Sequence, residues 1–219
     1  MPRIRLSRRT LVKCGVFLLA AAGFFFCLIS VGNTLEIRLL AAVQQMRMPW
    51  LDVVMLCFTY LGSVYGIIAV LLLSFIKRDV KGFSFPLIVT VTVSWLLNEL
   101  IKVIVARPRP PIAVLTESSY SFVSGHTMNN TTLYLMMFLL LVLCLPVKKI
   151  WWLLLVPLPI AFSRLYFAVH YPTDVLGGFA ASVMLVVVAF SIFRALHLIP
   201  DKKQNGPSDL NADNGLKIC

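Results

Sequence analysis

Long apolar runs separated by short polar turns make up most of this chain. About 18 or more consecutive apolar residues is the length a helix needs to cross the hydrocarbon core of a bilayer. Six runs meet that test and predict spans over Val12–Val31, Val53–Ile76, Phe83–Val105, Thr127–Leu145, Ile150–Phe167 and Val175–Leu196. Strands of a membrane barrel alternate in polarity and need only about ten residues, so the pattern predicts an all-α, polytopic six-helix bundle and not a barrel. Residues 1–199 form the predicted membrane domain. The tail from Pro200 to Cys219 is rich in Asn, Asp, Gly and Lys and is predicted to be disordered. The first run begins like a signal peptide, with basic residues ahead of it and small residues at Ala20–Gly23. It then continues through Phe24, Phe25 and Phe26 to Val31, longer than a signal core, which predicts a retained anchor.

Composition narrows the class further. Hydrophobic residues are 59% of the 219 and charged residues 13%, and the mean hydropathy is +0.89. A water-soluble domain of this size could not bury that much apolar surface, so a soluble enzyme and a disordered chain are both excluded. The net charge of +11 would suit nucleic acid, but most of the basic residues lie between or beside the hydrophobic runs, which fits membrane topology better. Arg3, Arg5, Arg8, Arg9 and Lys13, then Lys77, Arg78 and Lys81, then Lys148 and Lys149, then Arg194, Lys202, Lys203 and Lys217 all fall on one side of the predicted topology. Lys/Arg excess marks the cytoplasmic side. Both termini are therefore predicted inside a plasma membrane, with the basic arm meeting anionic lipid and no nucleic acid as partner. The five cysteines are Cys14, Cys27, Cys57, Cys144 and Cys219. None has metal-ligand spacing or lies in an outer loop, so neither a disulfide nor a zinc site is expected.

Polar residues near span ends are costly and mark candidate function. They gather in three clusters: Asn98, Glu99 and Lys102 followed by Arg107-Pro108-Arg109-Pro110; Ser121 to His126; and Ser163-Arg164, His170 and Asp174. Helix parity puts all three on the face opposite the basic side, which predicts a site facing the extracytoplasmic side. Lys102 lies about 20 residues beyond Gly82, or roughly 30 Å along a helix, near the far interface. Lys and Arg with no matching number of carboxylates form an anion site. Ser124-Gly125 ahead of a helix can offer backbone N–H groups to an anion. Two histidines can divide nucleophile and general-acid roles, and an Asp can fix the tautomer of one of them. No carboxylate cluster suits Mg²⁺ or Ca²⁺. The residues suggest metal-free phosphoryl transfer through a phosphohistidine, without a cofactor.

These residues resemble the motifs of the type 2 phosphatidic acid phosphatase family. Lys102 with Arg109-Pro110 matches its first motif; Val123-Ser124-Gly125-His126 matches its second except for Val in place of Pro; Ser163-Arg164, His170 and Asp174 match its third in full. The resemblance covers roughly residues 12–197. It implies a six-helix membrane enzyme in which His170 attacks phosphorus, Asp174 orients it and His126 protonates the leaving oxygen. Lys102, Arg109 and Arg164 would hold phosphate oxygens, with hydrogen bonds from Ser124 and the Gly125 backbone. Arg107 competes with Arg109 for the family's Arg-Pro position, and only Arg109 has the family spacing. Pro172 lies between His170 and Asp174, so their contact cannot rest on simple helical i, i+4 geometry. The implied substrates are lipid phosphates such as phosphatidic acid, phosphatidylglycerol phosphate or undecaprenyl diphosphate.

Each residue also has a plainer role to weigh. Lys102 can snorkel or pair with Glu99 one turn away. Asp174 can serve only as a partner of a helix dipole. Glu117 is as readily a solvated loop residue as a substrate contact. Pro157 and Pro159 interrupt the fifth span, a feature that broken-helix transporters share. The rival functions are a lipid phosphotransferase on the same scaffold and a lipid-phosphate transporter. Oligomeric state is not legible.

Overall fold

The computed structural model describes residues 33–74, 80–143 and 147–199. The predicted first span and the C-terminal tail lie outside the described residues, as do Cys14, Cys27, Cys144 and Cys219. The described residues are helical, without strands. Seven helices carry the architecture: α1 (Asn33–Gln44), α2 (Pro49–Leu61), α3 (Val64–Ser74), α4 (Phe85–Val105), α5 (Gly125–Leu141), α6 (Pro157–Tyr166) and α7 (Pro172–Ala195).

Proline and glycine decide where the predicted spans break. The second span is two helices, α2 and α3, bent by 55° at Gly62-Ser63. A Cβ on Gly62 would come within 2.3 Å of Ile160 Cγ2 and 3.3 Å of His126 Cδ2, so the bend brings bare backbone against the site. The fifth span is not one regular helix. Trp151–Leu155 is a 3₁₀ turn, and Pro157 opens α6 at its first turn, where its missing N–H costs nothing. Among the described residues, Gly82–Val105 and Pro172–Ala195 are long and apolar enough to cross a membrane, and the bent α2–α3 pair makes a third. The described residues thus hold up to three such spans, fewer than the six expected, and the first expected span lies outside them. α5 has 17 residues, and its first two turns carry Asn129, Asn130, Thr131 and Thr132 buried inside the bundle.

The packing is that of a membrane protein. Leu96, Leu100, Val103 and Ile104 of α4 and Val187, Val188 and Ile192 of α7 are exposed. An apolar exterior is stable only against lipid, and helices satisfy their backbone groups internally there. The inner side holds Leu87, Val91, Leu133, Met136, Leu140 and Val186. α5 is central and packs most extensively on α7 and then α4. Small residues permit that approach. A Cβ on Gly177 would meet Phe122 and Val123 at 2.9 Å, and one on Gly178 would meet the Ser124 carbonyl oxygen at 3.1 Å. The start of α7 is thereby seated against the segment that starts α5.

α1 was not among the predicted elements. It is a short helix whose Leu40 packs with Ala168 and Tyr171 on the connection between α6 and α7. Its buried Glu36 reaches the first turn of α7.

Candidate active site

Three helix ends meet at one level. α4 ends at Ala106, which takes left-handed φ of 47° and donates its N–H to Lys102 O at 2.8 Å. Such a residue stops a helix and turns the chain sharply, so Lys102 in the last turn stands beside Arg107 and Arg109 just after it. α5 begins at Ser124. Its Oγ accepts from Thr127 Oγ1 at 3.0 Å and caps the helix. α6 ends just after Arg164, and Ala168, again left-handed at φ 50°, bends the chain back so that His170 precedes α7.

A cavity of about 320 Å³ is lined by Lys102, Arg109, Gly125, His126, Arg164 and His170, together with Glu99 and Glu117. Its other wall is mostly apolar: Val64, Ile67, Ile68 and Leu71 of α3 and Val91 and Trp95 of α4, with Thr92 beside them. One end is thus a cationic cradle and the other a trough between two helices.

His170 has the contacts that a nucleophilic imidazole would need. Its Nδ1 lies 3.5 Å from Asp174 Oδ2 and 3.4 Å from Ser121 Oγ. A proton on Nδ1 facing the carboxylate leaves the Nε2 lone pair toward the cavity. Arg109 Nη1 lies 3.3 Å from that Nε2. Burial pushes the imidazole down to about 4, against the opposing pull of Asp174, and Arg109 and Arg164 push it further. The ring is therefore neutral near pH 7. The contact with Asp174 forms despite Pro172. Asp174 sits in the first turn of α7, where its Oδ2 also accepts from Tyr171 N at 2.9 Å, and His170 lies in the preceding loop.

Asp174 is held from several sides. Ser121 Oγ donates to Oδ2, and Arg107 Nη1 donates to Oδ1 at 2.6 Å. Arg107 also pairs with Glu36 at 2.6 Å, donates to Thr173 Oγ1 at 2.8 Å and stacks on the Tyr171 ring at 4.0 Å. Arg107 is therefore turned away from the cavity, and Arg109 is the arginine of the pair that faces it.

The cradle's cations are not left without carboxylates, which differs from the sequence reading. Lys102 Nζ pairs with Glu99 at 3.0 Å and contacts Ser119 Oγ at 3.2 Å. Arg164 Nη2 donates to Glu117, whose other oxygen lies 3.9 Å from Arg109 Nη2. Burial alone would raise the Glu117 carboxyl; Arg164 and Arg109 override it and hold it low. Arg164 is almost fully buried and keeps Nε and Nη1 without a partner among the described residues. Unpaired buried guanidinium N–H groups are expensive, and a tetrahedral oxyanion would satisfy them.

Seven of the eight candidate residues gather here. The exception in detail is Ser124. Its side chain is fully buried, caps α5 and does not line the cavity, whereas Gly125 does. A Cβ on Gly125 would meet Asn98 Oδ1 at 2.9 Å and Lys102 Nζ at 3.6 Å. Glu36 and Ser119 carry no motif signal and were missed, and Ser121 stood in the second polar cluster without a role. Only the buried contact partners of Arg107, Arg109 and Asp174 identify them. Among the described residues no cluster of His, Cys, Asp and Glu is arranged to hold a metal ion.

Comparison with known proteins points to one family. Residues 83–197 match the PAP2 superfamily. Phosphatidylglycerophosphatase B of Bacillus subtilis (strain 168) is 35% identical over 155 residues, which are 66% of this chain and 76% of that protein. The fold is similar to the crystal structure of the first transmembrane PAP2 type phosphatidylglycerolphosphate phosphatase from Bacillus subtilis, with TM-score 0.72 and 27% identity over 81% of this chain and 96% of that one. It is also similar to Aquifex aeolicus LpxE, with TM-score 0.59 and 28% identity over 70% and 93% of the two chains.

Proposed function

The chain belongs to the PAP2 superfamily, and from that premise we propose that it is an integral-membrane lipid phosphatase working through a phosphohistidine. One observation carries the reading. The lone pair of His170 Nε2 faces a cradle of Lys102, Arg109 and Arg164 whose far side opens into an apolar trough. A phosphate at the cradle leaves its lipid chains in the trough, so head and tail are both accommodated.

The chemistry follows from the groups in place. His170 Nε2 forms a bond to phosphorus as the phosphorus–oxygen bond to the lipid breaks. His126 gives its proton to the departing alkoxide. Charge growing on the phosphoryl oxygens is met by Lys102, Arg109 and Arg164 and by the first N–H groups of α5. Asp174 stabilises the positive ring of His170 as its Nε2 bonds phosphorus. A water then bonds to phosphorus, His126 takes its proton, and the nitrogen–phosphorus bond breaks to release phosphate. Because side chains supply all the positive charge, the proposed reaction needs no metal or cofactor. The Lys/Arg asymmetry of the sequence places the site on the extracytoplasmic side of a plasma membrane with both termini inside. The relatives' names point to glycerophospholipid monoesters such as phosphatidylglycerol phosphate; phosphatidic acid and undecaprenyl diphosphate fit the same cradle.

Phosphate release from such lipids by the purified protein in EDTA tests the reading. His170→Ala is expected to abolish it, and a phosphohistidine should be trapped by acid-sensitive labelling of the wild type only. Undiminished release by His170→Ala would refute the mechanism.

A further inference from the structure

A line of polar side chains runs inward from the cradle, and the reaction described above uses none of it. On α5, Asn129 lies four residues beyond Gly125, about 6 Å deeper along the helix. Thr132 Oγ1 donates to Ser94 Oγ at 3.2 Å, and Ser94 Oγ donates to Asn129 Oδ1 at 2.8 Å. That order of donors poses the amide. Its oxygen is taken, and its Nδ2 is the group left for the cavity. Asn129 is only 8% exposed yet lines the cavity. No acceptor meets its Nδ2 among the described residues. The trough nearby includes Ile67, Leu71 and Val91. A nearly buried amide N–H held beside an apolar trough is costly unless a ligand brings it an acceptor.

Lipid chemistry says which ligands bring one. In a diacylglycerol phosphate the nearer ester carbonyl oxygen lies roughly six bonds, or about 6 Å, from phosphorus. A polyprenyl diphosphate has only hydrocarbon beyond its second phosphate. We propose that Asn129 is a specificity-determining residue: its Nδ2 donates to the ester carbonyl of a diacylglycerol phosphate. It thereby favours ester-linked glycerolipids over chains without that acceptor. Ser94 and Thr132 act through Asn129 as positioning residues. The inference rests on the phosphatase reading of the cradle.

The experiment compares kcat/KM of the full-length protein on three lipids: an ester-linked phosphatidic acid, its dialkyl-ether analogue and a polyprenyl diphosphate. The unaltered protein is expected to favour the ester over the ether by about fivefold, the effect of one hydrogen bond. Asn129→Leu should bring that ratio to about one while leaving turnover of the ether and the polyprenyl lipid in place. Asn129→Asp keeps the volume and replaces the donor with an acceptor, so it should lose the same preference. A ratio of one in the unaltered protein overturns the proposal. So does a preference that survives in Asn129→Asp. Release of phosphate from none of the three lipids overturns the phosphatase reading itself, whereas turnover without ester preference sinks only the role of Asn129.

Discussion

Two arginines stand two residues apart in Arg107-Pro108-Arg109-Pro110 and do opposite work. Arg107 is enclosed, with a side chain 6% exposed between Glu36 at 3% and Asp174 at 0%. Arg109 lines a cavity and faces a histidine lone pair, with Glu117 at its edge 31% exposed. Both sites hold cations beside carboxylates. In the first the carboxylates have nowhere to go, and the charges form a fixed chain that clamps Asp174. In the second they lie at a rim from which a substrate anion can displace them. Similar ion pairs thus give a scaffold in one place and a candidate binding site in the other, and burial makes the difference.

The comparison can be broken most sharply at Arg107. Arg107→Met leaves Glu36 and Asp174 buried without their partner and should lower stability by about 3–5 kcal/mol, read by thermal unfolding in detergent. An unchanged melting temperature would mean that the chain is not a clamp. Arg109→Ala should instead cost roughly 10²–10³ in kcat/KM, the scale of losing one donor to transition-state charge, with a smaller loss of stability than Arg107→Met. If the two variants behave alike, the distinction fails.

Acid titration probes the open site next. In the proposed mechanism His170 attacks only as the neutral ring, and burial holds it down to about 4. Protonation below that value removes the lone pair, so kcat/KM should fall about tenfold per pH unit below about 4 and be insensitive to this group above it. A limb near 6.5 would indicate a solvated ring.

Glu117→Gln removes the internal anion on Arg164 and Arg109. Inhibition by inorganic phosphate should tighten by about five- to tenfold, measured as Ki against a lipid substrate. Weakened inhibition would make Glu117 part of the binding set, not a competitor for it. The smallest effect is expected at Glu99, which is 46% exposed. Glu99→Gln should change kcat/KM by no more than about fivefold, as for other solvent-facing pairs.

Much of the site was legible before any fold was known. Lys102, Arg109, His126, Arg164, His170 and Asp174 sit at fixed spacings near helix ends, where polar residues in an apolar chain are conspicuous. Glu36 was not legible, because it meets Thr173 across 137 residues of sequence and carries no local pattern. Ser124 was assigned to phosphate by its place in a motif, yet its oxygen caps a helix. Motif position does not say which way a side chain turns. The carboxylates were undercounted for a related reason: Glu117 lies in a loop without periodicity, so its pairing with Arg164 depends on how that loop folds.

The amino-acid sequence by itself determined that this is a lipid-embedded helical protein, because apolar runs of that length have no other stable home. It also pointed to side chains that the fold does bring to one cavity, because successive spans are expected to alternate in direction. Only the tertiary structure decided which of two neighbouring arginines faces the cavity, which carboxylates are permanent partners and where the spans bend. Those outcomes depend on close packing of small residues such as Gly62, Gly177 and Gly178 against distant segments. Contacts of that kind are set by the whole fold and leave no local trace along the chain.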